Sequence, residues 1–350
     1  MAGVGRRSRE RLKDLPWSRP PPLAEFDRST RWPNPTVNRR DLLVGNAVAG
    51  GARWNQATSP LIDSGASSAW RGRRGTSYVH SSHDCNKMSL TRAEIAGWAA
   101  TLDTARRDRM GCEPISSTVV LDLDDAYAIQ RAGTELRVAR GENVVGWKLG
   151  YTSSAMRAQM GIEHPNFGPL TDAMLLAHDG AVSASLIQPR VEPEIGLRLA
   201  QPLTGEVSLD DVMDAVGEAF ACLEVVDSVY PDYRFRLEDN TADGSSAAQV
   251  AVGPALPSLD RLESVAVVLL HNGENAGSAT GSAASGHPAA GVVWLVAQLA
   301  RKGRQLRAGD IVITGGLTRA VPLNFGDHVE AVFDDQKRVA VHRRSSPAIR

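Results

Sequence analysis

Glu192 and Glu194 stand two residues apart in RVEPEI (190–195), and Glu224 follows thirty residues later in LEVVDS (223–228). The Val and Ile around them read as strand. Side chains at i and i+2 of a strand share a face. Two carboxylates held ~7 Å apart on one face repel unless something positive sits between them. With Glu224 as a third acid, such a set suits Mg²⁺ or Mn²⁺, which take oxygen ligands and leave room for water and substrate. The plainer alternative is a solvated strand face neutralised by Arg190 or Arg198. Lys148, in VVGWKLG between Trp147 and Leu149, poses the same choice. It is either a solvated stem on an exposed face or a desolvated ammonium whose lowered pKa lets it move protons near neutrality.

These residues need strands to hold them. From Val144 onward short β-like runs dominate: VVGWKLG, AVSASLI, EIGLRL, ACLEVVDS, SVAVVLLHNG, DIVITGG, HVEAVF and RVAVHR, separated by Gly, Pro, Asn and Asp. Ahead of them, Thr91 and Glu94 have the spacing of a capping box, opening a helix with Ile95, Trp98 and Leu102 on one side. A second helix is expected over about Asp124 to Arg140, with Ala126, Ile129, Gly133 and Leu136 on one stripe. Further helices are expected over Asp210 to Phe220 and His287 to Lys302, where Pro288 suits a first turn. Strands without regular helix alternation argue against a doubly wound sheet. The expectation is a single α+β domain: a curled, mostly antiparallel β core with helices packed outside.

The chain has 350 residues, 42% hydrophobic and 23% charged, as in ordinary globular proteins. Its formal charge of −1 hides an asymmetry: residues 1–87 carry 15 Lys/Arg against 7 Asp/Glu, and residues 88–350 carry 24 against 33. The acidic remainder argues against a nucleic-acid partner. Residues 1–87 show no periodicity, hold Trp17, Trp32, Trp54 and Trp70 without apolar neighbours, and read as a disordered basic extension. Met88 opens a texture of its own, which points to an upstream start codon having been chosen for this chain. The stretch NRRDLLVGNAVAG (38–50) has too short an apolar run for an export signal. Cys85, Cys112 and Cys222 form no C-x-x-C and fit reduced thiols of a cytoplasmic protein. No membrane span, P-loop, dinucleotide fingerprint, nucleophile elbow or H-E-x-x-H is present.

Six blocks fall in a telling order: VVGWKLGYTS (144–153), FGPLTDAM (167–174), LIQPRVEPEI (186–195), LEVVDS (223–228), GSAASGHP (281–288) and AGDIVITGGLT (308–318). The series resembles the 2-keto-4-pentenoate hydratase / 4-oxalocrotonate decarboxylase family, related to the C-terminal domain of fumarylacetoacetate hydrolase. The resemblance implies that fold over residues 88–350, and a metal-dependent lyase acting on small unsaturated 2-oxo acids from aromatic-ring breakdown. It implies Glu192, Glu194 and Glu224 as metal ligands, Lys148 as the proton-handling residue and Asp172 as its assistant. Ser246, Thr318 and His287 fall where the family meets substrate, although Asp172 also suits a turn and His287 a helix cap. The hydratase branch is favoured: 2-hydroxypenta-2,4-dienoate would ketonise and accept water at C4, giving 4-hydroxy-2-oxopentanoate. The decarboxylase is the alternative, for which YRFRLED (233–239) speaks. A non-enzymatic subunit that steadies a catalytic partner is the third reading, resting on Gly244 where the family usually has Asn. A homo-oligomer, and a complex with a pathway decarboxylase or aldolase, are implied as well.

Overall fold

The structure is a computed structural model and describes residues 90–153, 157, 162 and 164–344. The expected extension over residues 1–87 lies outside the described residues.

Helix α1 (Arg92–Asp108) starts where its capping box sits: the Glu94 N–H donates to Thr91 Oγ1 at 3.3 Å, and Thr91 N–H to Glu94 Oε2 at 2.8 Å. Helix α2 (Leu123–Ala139) is capped by Asp122, which accepts from Asp125 N at 2.8 Å. The two pack on each other around Ala99, Leu102, Ala126 and Ile129, with Trp98 half-buried against them. Only the first half of the α2 stripe is enclosed, because Leu136 is exposed at the helix's far end.

Two sheets form the β core. The first runs β2 (Asn166–Thr171), β1 (Val144–Gly150), β10 (Ile311–Ile313), β5 (Arg190–Leu199), β6 (Val216–Val226), β7 (Ala247–Ala255) and β3 (Leu175–Ala177), with β11 (Val321–Pro322) also on β5. The second runs β4 (Gly180–Ala181), β13 (Lys337–His342), β12 (His328–Phe333), β8 (Ala266–His271) and β9 (Glu274–Thr280). Most neighbours are antiparallel; β1/β10, β3/β7 and β4/β13 are parallel. Between the layers lies one apolar core of Ile195, Leu197, Leu223, Val267, Leu269 and Phe333. Helix α5 (Ala290–Arg301) adds Val292, Leu295, Val296 and Leu299 to it. No helix among the described residues is long and apolar enough to cross a membrane.

Three expectations are corrected. The helix expected over Asp210 to Phe220 is α3 (Leu209–Ala215) alone, and Val216 onward is β6. The later part of that strand is the run ACLEVVDS, already read as β; Val216–Phe220 ahead of it pairs with β5 as well. The run AVSASLI is strand only at its first residue, since Ser185 N–H turns onto Ser183 Oγ at 3.2 Å, a local bond that competes with a ladder. Strands β7 and β9 went unanticipated because Ala, Gly and Ser carry little β preference.

Pro193 is the local device that opens the sheet. A proline is normally excluded from a central strand because it donates nothing to the ladder. Here β10 pairs with β5 at residues 196–198 and β11 at residues 190–191, leaving the edge between them strand-free. Pro193 turns its N and O into that gap, where its carbonyl accepts from Leu317 N–H at 2.9 Å. The loop between β10 and β11 is thereby drawn against the two glutamates that flank the proline.

Candidate metal centre

Antiparallel register places Glu192 directly opposite Glu224, and Glu194 opposite Cys222 one rung away. Directly opposed side chains have Cβ atoms about 4.5–5.5 Å apart. One oxygen from each of Glu192, Glu194 and Glu224 lies within 4.8 Å of the others. Glu194 and Glu224 are fully buried and Glu192 partly so. Gly315 N–H donates to Glu194 Oε2 at 2.7 Å, from a backbone with φ of 101° that suits glycine. A side chain at Gly316 would meet the Glu192 carboxylate, which would have to move out of its present place.

Lys148 enters from β1, separated from β6 in the sheet order by β10 and β5. The curl of the sheet nonetheless brings its Nζ to 3.1 Å from Glu224 Oε2. Nζ also donates to the carbonyl of Ser245 at 3.1 Å and to its hydroxyl at 3.3 Å. Ser245 Oγ in turn donates to Asn166 Oδ1 at 2.8 Å, so the ammonium sits in a buried polar network.

The charges do not balance: three carboxylates share one ammonium. Burial, then the charge of Glu224, push the Glu192 carboxyl up to about 7, with Lys148 opposing. Burial and the charges of Glu224 and Glu192 push Glu194 well above the carboxylate range, and burial raises Glu224 despite Lys148. For Lys148 burial alone would lower the pKa, but Glu224, Glu192 and Glu194 outweigh it and the net direction is upward. The expected lowered ammonium is therefore corrected: the carboxylates hold the charge on. Glu194 Oε1 and Glu224 Oε1 are buried without a hydrogen-bond partner. Buried acceptors are rarely left so. Hard, anionic, unsatisfied oxygens converging on one point are the donor set for a divalent cation.

The remaining expected residues are placed differently. Asp172 accepts from the Asn143 N–H at 3.0 Å and from its side-chain amide at 2.8 Å. Lys148 pairs with Gly168, so Asp172 lies four residues further along, roughly 13 Å away at about 3.3 Å per residue. In this structure Asp172 closes the β1–β2 end. Asp172→Ala should cost about 1–3 kcal/mol of stability while changing kcat less than about threefold. A hundredfold fall in kcat of a folded variant would return Asp172 to the chemistry.

His287 Nδ1 accepts from Ala289 N–H at 3.1 Å and its Nε2 lies 3.6 Å from Glu263, so it serves the entry to α5. Thr318 donates to the Arg319 carbonyl at 3.3 Å and packs against Gly277. Ser246 Oγ accepts from Asn240 Nδ2 at 2.9 Å and donates to Asp243 Oδ2 at 3.5 Å. Its neighbour Ser245 is the serine that meets Lys148. Sequence reasoning missed Ser245 and Asn166; the doubled serine after Gly244 was the available signal, and spacing alone could not choose between its members.

The fumarylacetoacetate (FAA) hydrolase C-terminal family matches residues 143–341, and the chain belongs to that family. A 2-keto-4-pentenoate hydratase of Burkholderia vietnamiensis is 39% identical over 228 residues, covering 64% of this chain and 87% of that protein. A 4-oxalocrotonate decarboxylase of a Pseudomonas species is 34% identical over 246 residues, covering 69% and 93%. The solved structure of a 4-oxalocrotonate decarboxylase from Pseudomonas putida, complexed with magnesium and adipate, superposes with a TM-score of 0.70 at 32% identity. That likeness covers 73% of this chain and 99% of the other.

Proposed function

We propose that this chain is a hydro-lyase that converts 2-hydroxypenta-2,4-dienoate into 4-hydroxy-2-oxopentanoate, using Mg²⁺ or Mn²⁺ held by Glu192, Glu194 and Glu224. The observation that carries the reading is the buried trio of carboxylates around one ammonium, with two carboxylate oxygens unsatisfied. The hydratase relative supports the substrate class, and the magnesium complex of the structural neighbour supports the metal. When bound, a divalent cation supplies Lewis acidity toward the 2-oxo and carboxylate oxygens of such a substrate.

The chain's own residues account for the rest. The reaction takes the proton from the 2-hydroxyl of the dienol, adds one proton at C5 and one at C3, and adds the hydroxyl of water at C4, so that one water is gained overall. Lys148 Nζ, 3.1 Å from Glu224 and beside the cation site, is placed to hold and deliver a proton. Ser245 and Glu224 fix its direction, which is what general acid catalysis requires. The 4-oxalocrotonate decarboxylase reading draws on the structural neighbour, and the same lysine would serve the carbanion left when CO₂ departs. Within YRFRLED, the Tyr233 hydroxyl lies within hydrogen-bond distance of the Gln188 and Val226 carbonyls, at 3.1 and 3.0 Å. Purified protein assayed with both substrates, in EDTA and in Mg²⁺ or Mn²⁺, separates the readings. Turnover of neither substrate in any metal would leave the role of a non-catalytic subunit. Assembly into a homo-oligomer, or with a pathway decarboxylase or aldolase, belongs to the same proposal and is tested by light scattering.

The pKa directions give a readout free of substrate. A carboxyl raised to about 7 when folded binds protons that the unfolded chain, near its ordinary value of about 4.3, has released. Metal-free stability should therefore fall as pH rises from about 4.5 through 7, with Glu194, raised in the same direction, extending the fall. Metal needs the ionised carboxylates, so added Mg²⁺ should raise Tm far more at pH 8 than at pH 5.5. A Tm gain independent of pH would count against these three ligands.

A further inference from the structure

Helix α4 (Leu237–Ala242) runs into three successive residues with left-handed backbone: Gly244 at φ 71°, Ser245 at φ 56° and Ser246 at φ 55°. Glycine adopts this conformation freely and serine does not. Such residues persist where their surroundings over-determine them, and they gather at functional sites. The turn has one evident output. It aims both the carbonyl and the hydroxyl of Ser245 at Lys148 Nζ.

Asn166 and Asn240 bond the two serines of the turn, and a further grip comes from outside the site. Arg106, in the last turn of α1, donates through Nη2 to the Asp243 carbonyl at 2.8 Å and to Asp243 Oδ1 at 2.7 Å. Its Nη1 donates to the Asp227 carbonyl at 3.3 Å. Asp227 N–H, for its part, donates to the Ser246 carbonyl at 2.9 Å. A single guanidinium thus ties together the chain entering the turn and the segment that holds its exit. The Asp243 side chain is fully enclosed while that of Arg106 is 23% exposed. Arg106 is also among the residues lining a cleft of about 470 Å³ with Arg137, Asp227 and Gly244. Shortening its side chain would therefore extend existing space rather than open a sealed cavity.

We infer that Arg106 is a positioning residue for the reaction, clamping the 243–246 turn so that Ser245 holds Lys148 in its working direction. The inference rests on the reading of Lys148 as the proton-handling residue. A planar fork is needed for the task, because two carbonyls and a carboxylate are held at once. A merely structural clamp would lower stability and leave the chemistry of each folded molecule alone.

The test compares wild type with Arg106→Met and Arg106→Lys. In the Met variant kcat per folded molecule should fall at least about tenfold, the scale of a misplaced group remote from the chemistry. KM and the Mg²⁺ midpoint should stay within about twofold, and lysine, which can still reach Asp243, should recover part of kcat. Unchanged kcat in the Met variant overturns the proposal, as does a parallel loss of kcat, substrate binding and metal binding. A crystal structure of the Met variant needs no turnover: Ser245 displaced from Lys148 is expected, and an unmoved turn overturns the inference. If wild type acts on no substrate, the functional reading fails alone and the variant structure still decides the role of Arg106.

Discussion

Glu194→Gln is expected to weaken Mg²⁺ binding at least about a hundredfold and to cut kcat about a thousandfold at metal concentrations that saturate the wild type. The glutamine keeps nearly the same volume, and its carbonyl oxygen can still accept from Gly315 N–H. What it removes is the negative charge and the other oxygen, Oε1, which in the glutamate is buried and unsatisfied. The same change should stabilise the metal-free protein. Burial and the neighbouring acids push the Glu194 carboxyl well above its ordinary range, so ionising it opposes folding. A neutral amide relieves that, and each kcal/mol gained should raise Tm by roughly 2–4 °C in a domain of this size. Isothermal titration with Mg²⁺ and Mn²⁺, beside thermal unfolding in EDTA, reads both effects. Metal affinity held within about twofold of wild type would remove Glu194 from the ligand set.

Lys148→Met should lower kcat by about 10²–10⁴-fold, the usual contribution of a positioned proton donor. Methionine approximates the length of the stem but makes no bond to Ser245 or Glu224, the partners of the ammonium. The loss of charge has two further consequences, of opposite sign. Without the ammonium 3.1 Å from Glu224, three buried acids face one another uncompensated, so the metal-free variant should be less stable than wild type above about pH 7. A divalent cation at the site no longer meets a nearby positive charge, so its affinity should rise, and saturating Mg²⁺ should restore most of the lost Tm. Near-normal turnover in this variant would make Lys148 a packing and charge-balancing residue. A variant that stays unfolded in saturating Mg²⁺ would show that the lysine is needed for folding itself.

What the sequence determined is what local geometry determines. Alternation along an extended chain puts Glu192 and Glu194 on one face whatever the rest of the protein does. The capping box at Thr91 and Glu94 starts a helix by bonds that span three residues. The glycine pair at 315–316 signals a close approach because glycine has no side chain to obstruct one. Tertiary structure decided everything that depends on register, curl or a turn. Glu224 meets Glu192 because β5 and β6 pair at that register, and a slip of one residue would have sent its carboxylate to the opposite face. Lys148 reaches Glu224 across two intervening strands only because the sheet curls. Its charge is kept on by carboxylates that are remote in sequence, which no reading of VVGWKLG could weigh against desolvation. Ser245 rather than Ser246 meets the lysine because of three left-handed residues in a row, and a one-residue rotation of such a turn is invisible in TADGSSA. Asp172 and His287 accept from nearby backbone N–H groups, of Asn143 and Ala289, for a similar reason: polar side chains bond whichever backbone group is within reach, and the fold alone says which one that is.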